Sequence, residues 1–313
     1  MTPPVRIKRR TDEMALSEVI GFILLLGVIV AAFALWSVYI VPINGREAEI
    51  THMDAVKDRF TDYKFALDSL WINNQTDKRG VQVSTSFNLG TGGGNTQASG
   101  LFLPLLNPVA SSATLVVKDR GDTITINTSD EGIYQNDMFD FPMNMTVLQY
   151  QSQNYYWIQQ SYTYQLGGVF LEQADGATSR LSPDISVYNI SNSPAVDITL
   201  IRLFGSGNVG GIGPVRVDSR LKSSNQINIT KRNQVQVNWA KISVNTANTQ
   251  TADAWEGVFN DTVARGYVTT GIVSRPSPLT VSLYVTGPSG GTLSDVNLIV
   301  RQADYDVWLN NIA

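Results

Sequence analysis

Few residues in this 313-residue chain are of a type and spacing that could do chemistry. His52 is the single histidine and there is no cysteine, so disulfides, thiolate metal sites and cysteine nucleophiles are excluded together. A zinc enzyme or a Ser-His-Asp hydrolase would have to be built around that one imidazole. Glu49 and His52 stand three apart, which puts two ligand types on one helix face, but no third accompanies them and a solvated helix face is the simpler reading. Gly205-Ser206-Gly207-Asn208-Val209-Gly210 spells GxGxxG after the apolar run 198–204. A dinucleotide pyrophosphate needs a helix N-terminus next, whereas Gly211-Ile212-Gly213-Pro214-Val215-Arg216-Val217 leads into another strand. Arg120-Gly121-Asp122 spells the tripeptide that animal adhesion receptors read; between the alternating runs 115–117 and 123–126, Gly121 is more simply a turn residue at an exposed hairpin tip. Asp184, Asp218, Asp253, Glu256, Asp295, Asp304 and Asp306 have no calcium-loop spacing, and no G-x-S-x-G, H-E-x-x-H or supported S-x-x-K motif occurs. We therefore expect a chain that is not an enzyme and uses no cofactor or metal.

Two kinds of chemistry remain. One is a carboxylate, Glu18, at the threshold of 23 uncharged residues, 19–41. A charge there either sits in the headgroup zone or meets a cation supplied by another subunit. The other is N-glycosylation: six N-x-S/T sequons begin at Asn74, Asn127, Asn144, Asn189, Asn228 and Asn260.

The elements that position these groups follow from charge and periodicity. At about 1.5 Å per residue the run 19–41 is about 35 Å long, enough to cross a hydrocarbon layer of about 30 Å. Arg6, Lys8, Arg9 and Arg10 precede it and favour a cytoplasmic N-terminus, which places everything after it outside the cell. Ala32-Phe33-Ala34 also makes an A-x-A triplet after about 12 apolar residues, the pattern of a cleaved secretory signal. Against that, the run continues through Leu35, Trp36, Val38, Tyr39, Ile40 and Val41, where a cleaved signal turns polar. Gly27, Ala31 and Ala34, at i, i+4 and i+7, form a narrow face that lets a second helix approach closely. Pro42, Asn44 and Gly45 predict a kink or short break. Beyond them Met53, Val56, Phe60, Tyr63, Leu67 and Leu70 step by 3 and 4, with charges between them, and predict an amphipathic helix. From residue 79 the period becomes two, as in 122–126, 234–239 and 279–285, and short alternating runs between Gly, Pro, Asn and Asp clusters predict antiparallel sheets. Two strands should meet at Gly167-Gly168 within the aromatic stretch 154–173. The fold class is thus α+β: a long N-terminal transmembrane and amphipathic helix followed by an antiparallel β-sandwich ectodomain, 79–313, with residues 183–194 a candidate boundary between two halves. A net charge of -4, with the cations gathered at the start, leaves no surface for nucleic acid.

Ala15-Leu16-Ser17-Glu18-Val19-Ile20-Gly21, after a charged lead and before a long apolar helix, resembles the class III signal peptide of archaeal type IV pilin-like proteins. The tyrosine-rich hairpin leading into Gly167-Gly168-Val169-Phe170-Leu171-Glu172-Gln173 extends the resemblance into archaeal surface proteins. It implies that a prepilin peptidase cuts between Ala15 and Leu16, removing 1–15. The apolar helix 16–43 would then pack in a filament core, with 44–72 laid on the headgroup. Glu18 would become the third mature residue and a partner for a neighbour's new amino terminus. The family favours a charged residue two before the cut, where this chain has Met14. The implied function is a structural subunit of a type IV pilus-like cell-surface filament, self-associating through its N-terminal helix and delivered by pilus assembly machinery. The alternative is a singly anchored surface protein that stays monomeric and binds or adheres through its β domain. Either way the expected location is the cell membrane, single-pass, with the ectodomain extracellular.

Overall fold

A charge-free run of leucine, isoleucine, valine and alanine has every reason to stay helical in lipid, and the amphipathic run behind it has a core to bury its stripe in. The two form one rod: α1 (Arg10–Leu35), a π-helical turn (Trp36–Ile40) and α2 (Val41–Asn73). The computed structural model describes residues 10–73, 81–91, 107–129, 142–222, 233–266 and 270–311, with side chains on the rod from residue 17. The break expected at Pro42, Asn44 and Gly45 does not occur. Proline has no N–H to give, and its ring crowds the carbonyl four residues back in a regular α-helix. The turn before Pro42 widens instead: the Val41 N–H reaches back five residues to the Trp36 carbonyl.

Along α2 the expected stripe is the docking face. Met53, Val56, Phe60, Tyr63 and Leu67 are buried and Leu70 is partly buried. The Phe60 and Phe87 rings lie 5.0 Å apart, and Tyr63 meets Tyr164 edge-on at 5.2 Å. Two of the tyrosine hydroxyls are satisfied as well, while that of Tyr164 finds no partner among the described residues. Tyr63 Oη and Ser219 Oγ share a hydrogen bond of 2.8 Å, and Tyr305 donates to the Leu67 carbonyl at 2.6 Å. Each fully buried side chain of this size contributes about 1.5–3 kcal/mol, which fixes the rod to the β domain without any crosslink.

Two curled sheets make that domain. The six-stranded sheet runs β1 (Gln82–Asn88), β10 (Pro214–Leu221), β15 (Val296–Asn311), β8 (Ser193–Phe204), β7 (Ile185–Ile190), with β11 (Asn233–Val237) also on β15. The nine-stranded sheet runs β13 (Gly271–Ser277), β14 (Thr280–Thr286), β12 (Trp239–Asn245), β2 (Ser112–Thr128), β3 (Met143–Gln153), β4 (Gln160–Gln165), β5 (Gly168–Gln173), β6 (Gly176–Leu181), with β9 (Gly207–Gly211) also on β2. Pairing among the described residues is antiparallel except between β8 and β15, which run parallel. The β4–β5 hairpin turns through Leu166 and Gly167, both at positive φ, one residue ahead of the expected meeting point. The segment 183–194 runs through β7 and the turn at Ser191-Asn192 into β8, and both sheets take strands from either side of it.

The core has two parts. One lies under α2; the other lies around α3 (Thr249–Gly266), a helix absent from the all-β expectation for 79–313. Asn248 caps α3, its Oδ1 accepting the Thr251 N–H at 2.8 Å. Ala252, Trp255, Val258, Phe259 and Thr262 form its buried face. The parallel pair serves both cores. Val196, Ile198 and Leu200 of β8, with Val296, Leu298 and Val300 of β15, face the α3 core. Ile201 and Leu203, with Ala303, Tyr305 and Val307, face the α2 core. Alternate positions point to opposite faces of a strand, so this pair is buried on both, as parallel strands generally are.

Candidate functional site

The rod has a bare half and a docked half. Residues 18–39 are exposed throughout, Glu18, Gly27, Ala31 and Ala34 among them, and a Cβ placed on Gly27 would touch nothing. Val41 is the first buried side chain. The rod from Ser17 to Ile72 is 56 residues long, and its bare part is apolar enough to cross a membrane once. The Ala15–Leu16 bond lies within α1, while Arg6, Lys8 and Arg9 lie outside the described residues.

Where the rod meets the β domain, a loop packs against one side of it. Glu49, on α2, is buried to 1% exposure. Its carboxylate accepts the backbone N–H groups of Tyr155, Tyr156 and Trp157 at 2.7, 2.9 and 2.6 Å. One helical turn earlier Gly45 has no side chain because the Tyr156 ring lies over it; a Cβ there would collide with the ring. The Arg46 guanidinium sits 4.4 Å from the Trp157 ring centre, and Tyr156 Oη accepts the Val109 N–H at 3.1 Å. One turn further, His52 Nε2 shares a hydrogen bond of 2.8 Å with Tyr150 Oη, which donates to the Asn88 carbonyl at 3.2 Å. Burial pushes the imidazole below its ordinary value, with the Asn88 carbonyl opposing. The solvated face expected for Glu49 and His52 is therefore corrected: both are committed to the β domain, because their stripe extends the apolar one towards the membrane side.

The tripeptide Arg120-Gly121-Asp122 is no hairpin tip. Residues 112–128 are one strand, β2, and Gly121, at φ +81°, belongs to a bulge where pairing with β3 shifts between Asp119 and Thr123. Asp122 is fully buried, accepting the Gln165 side-chain N–H and the Ala247 backbone N–H at 2.6 Å each. Gln165 in turn accepts the Trp255 indole N–H at 2.9 Å. Arg120 pairs with Glu172 at 2.6 Å and donates to Thr251 at 2.9 Å. No receptor could read these side chains without unfolding the joint between β2, β5 and α3. The glycine motif 205–210 connects β8 through β9 to β10, with no helix start to hold a pyrophosphate.

Asn127, Asn144, Asn189 and Asn260 are all exposed; Asn74 and Asn228 lie outside the described residues. Three of them adjoin residues of the α3 core in the chain, Asn127 beside Ile126, Asn144 between Met143 and Met145, and Asn260 beside Phe259, while Asn189 lies two positions from Val187. Among the described residues no three of His, Asp and Glu come together to hold a metal. A cavity of about 830 Å³ opens between the ends of α2 and α3, lined among others by Lys64, Asp68, Trp71, Arg180, Asp184 and Arg265. Its innermost charges are paired, Lys64 to Asp68 at 3.0 Å. No family model, curated protein or solved structure matches the chain.

Proposed function

We propose that this chain is a noncatalytic structural subunit of an archaeal type IV pilus-like surface filament. The observation that carries the reading is the division of one continuous helix. Its distal half is sealed to a β headgroup, while its proximal half exposes about two dozen apolar residues with a single carboxylate, Glu18, at their start. Apolar surface on that scale needs lipid before assembly and other helices after it. Gly27, Ala31 and Ala34 supply the face on which a neighbouring helix can approach, and Glu18 supplies the counter-charge for a neighbour's amino terminus. Processing between Ala15 and Leu16 by a prepilin peptidase would free that terminus. Exposure of all four described sequon asparagines fits a headgroup carried outside the cell.

Mass spectrometry of the chain from its native cell, together with electron microscopy of sheared surface material, tests this. The expected result is a mature protein beginning at Leu16 and present in filaments, with Glu18→Ala cells keeping the processed terminus and losing the filaments. An intact leader and no filament containing the chain would overturn the proposal in favour of a singly anchored binding protein. A terminus at Leu35 would make it a secreted one.

A further inference from the structure

We infer that the loop 154–159 is a second membrane contact, seating the β domain on the outer headgroup layer beside the point where the helix leaves the bilayer. The inference rests on the membrane-anchored reading above. Four exposed apolar side chains surround that point: Ile43 on the helix at 61%, Val109 at 58%, and Tyr155 and Ile158 at 66% and 49%. Their neighbours are of the type that populates membrane interfaces. Tyr156 and Trp157 are half-buried amphipathic rings, and Arg46 lies over the Trp157 ring with its charge at the surface.

Position argues for lipid as the occupant. The unbroken apolar run ends at Val41, ahead of Pro42, and Gly45, on which Tyr156 rests, is about 6 Å further along the axis. A headgroup layer adds about 5–7 Å beyond the hydrocarbon on each side, so the loop meets the helix at the depth where Tyr and Trp concentrate. The Glu49 carboxylate holds three successive loop amides there. An exposed aromatic loop has no need of so firm a seat unless its height on the helix matters. Fixed on both helix and headgroups, the β domain would stand at one depth and tilt while the subunit waits in the membrane.

The chain has no cysteine, so one introduced thiol gives one reporter. Full-length Tyr155→Cys, Ile158→Cys, Val30→Cys and Ile272→Cys would each carry a polarity-sensitive fluorophore in phosphatidylcholine–phosphatidylglycerol vesicles. The expected pattern is blue-shifted emission at 155 and 158, lost when nitroxide is placed on the lipid headgroup. Emission at 30 should be lost with nitroxide deep in the acyl chain, and that at 272, on the edge strand β13, with neither. Quenching at 30 with none at 155 and 158 overturns the inference and leaves the anchor standing. No quenching at 30 overturns the anchor as well. Quenching between labels at 155 that rises with protein-to-lipid ratio would assign the loop to a second copy of the chain and also overturn it. Adding Glu49→Gln to the 155 reporter should weaken its headgroup quenching while the same change leaves the 30 reporter unmoved; an unchanged 155 signal would refute the role given to Glu49.

Discussion

Asp122→Asn tests whether a buried polar joint, not surface adhesion, is the business of the Arg120-Gly121-Asp122 segment. The carboxylate faces two donors, the side-chain N–H of Gln165 and the backbone N–H of Ala247, each at 2.6 Å. Asparagine keeps the shape but has one acceptor oxygen, so one donor meets an NH2 group. A charge-assisted hydrogen bond is worth about 1.5–3 kcal/mol, and stranding a buried donor costs about 1–3 kcal/mol. With one bond retained in neutral form the net loss is about 2–4 kcal/mol. Arg120, whose Nε lies 3.7 Å from the Asp122 carboxylate, keeps its closer ion pair with Glu172 at 2.6 Å. For a domain of this size each kcal/mol moves the melting temperature by about 2–4 °C, so thermal unfolding of the full chain in detergent, followed by circular dichroism, should fall by about 5–15 °C. The Trp255 indole, linked to Asp122 through Gln165, should report the loosening of α3 in its emission. Asp58→Asn, on the exposed side of α2, controls for charge removal and should stay within about 0.5 kcal/mol. A melting temperature for Asp122→Asn as close to the parent as that control would refute the reasoning.

Gly45→Leu drives a side chain into the Tyr156 ring and should cost about 1–3 kcal/mol, seen as faster hydrogen exchange at the amides of residues 155–157. His52 sits below its ordinary value of 6.5, so it is held neutral in the fold and takes up a proton more readily when unfolded. Stability is then full above that value and declines as pH falls from it towards the folded value; denaturant midpoints measured across this window should show the slope, and His52→Gln should flatten it. Trp255→Ala empties a fully buried site and leaves Gln165 without its donor, and should lower unfolding free energy in denaturant titrations by about 3–5 kcal/mol. Glycopeptide mapping of the native protein should find glycans among Asn127, Asn144, Asn189 and Asn260, and Asn→Gln at an occupied site should remove one glycan mass.

The rod was readable because its signals are local. A charge-free run needs no knowledge of the rest of the chain, and the 3–4 stepping from Met53 to Leu70 names the docking face outright. The strands announced themselves by alternation, but their partners did not: β8 and β15 meet across about a hundred residues with nothing in either to say so. Gly121 misled because a hairpin turn and a bulge both call for positive φ. α3 hid because Thr251 and Thr262 lie on its buried face, so the apolar stripe between them is short. Glu49 and His52 looked solvated because the groups that bury them, at 150 and 155–157, come from a loop and strand a hundred positions later. Pro42 was misplaced as a breaker because the relief it needs was supplied one turn upstream.

That relief, the π-turn at Trp36–Ile40, also sets an angle. Each residue turns an α-helix by about 100°, so the number of residues between Ala34 and Gly45 fixes the compass bearing of the β domain relative to the small-residue face. The wide turn closes over five residues where a regular turn closes over four, so it takes up one extra residue, and deleting one would restore a regular turn with the Pro42 ring against the carbonyl four residues back. The wide turn thus works as an indexing joint: had the same residues been wound as regular α-helix, the β domain would face roughly a quarter of a turn away from its present bearing to the small-residue face.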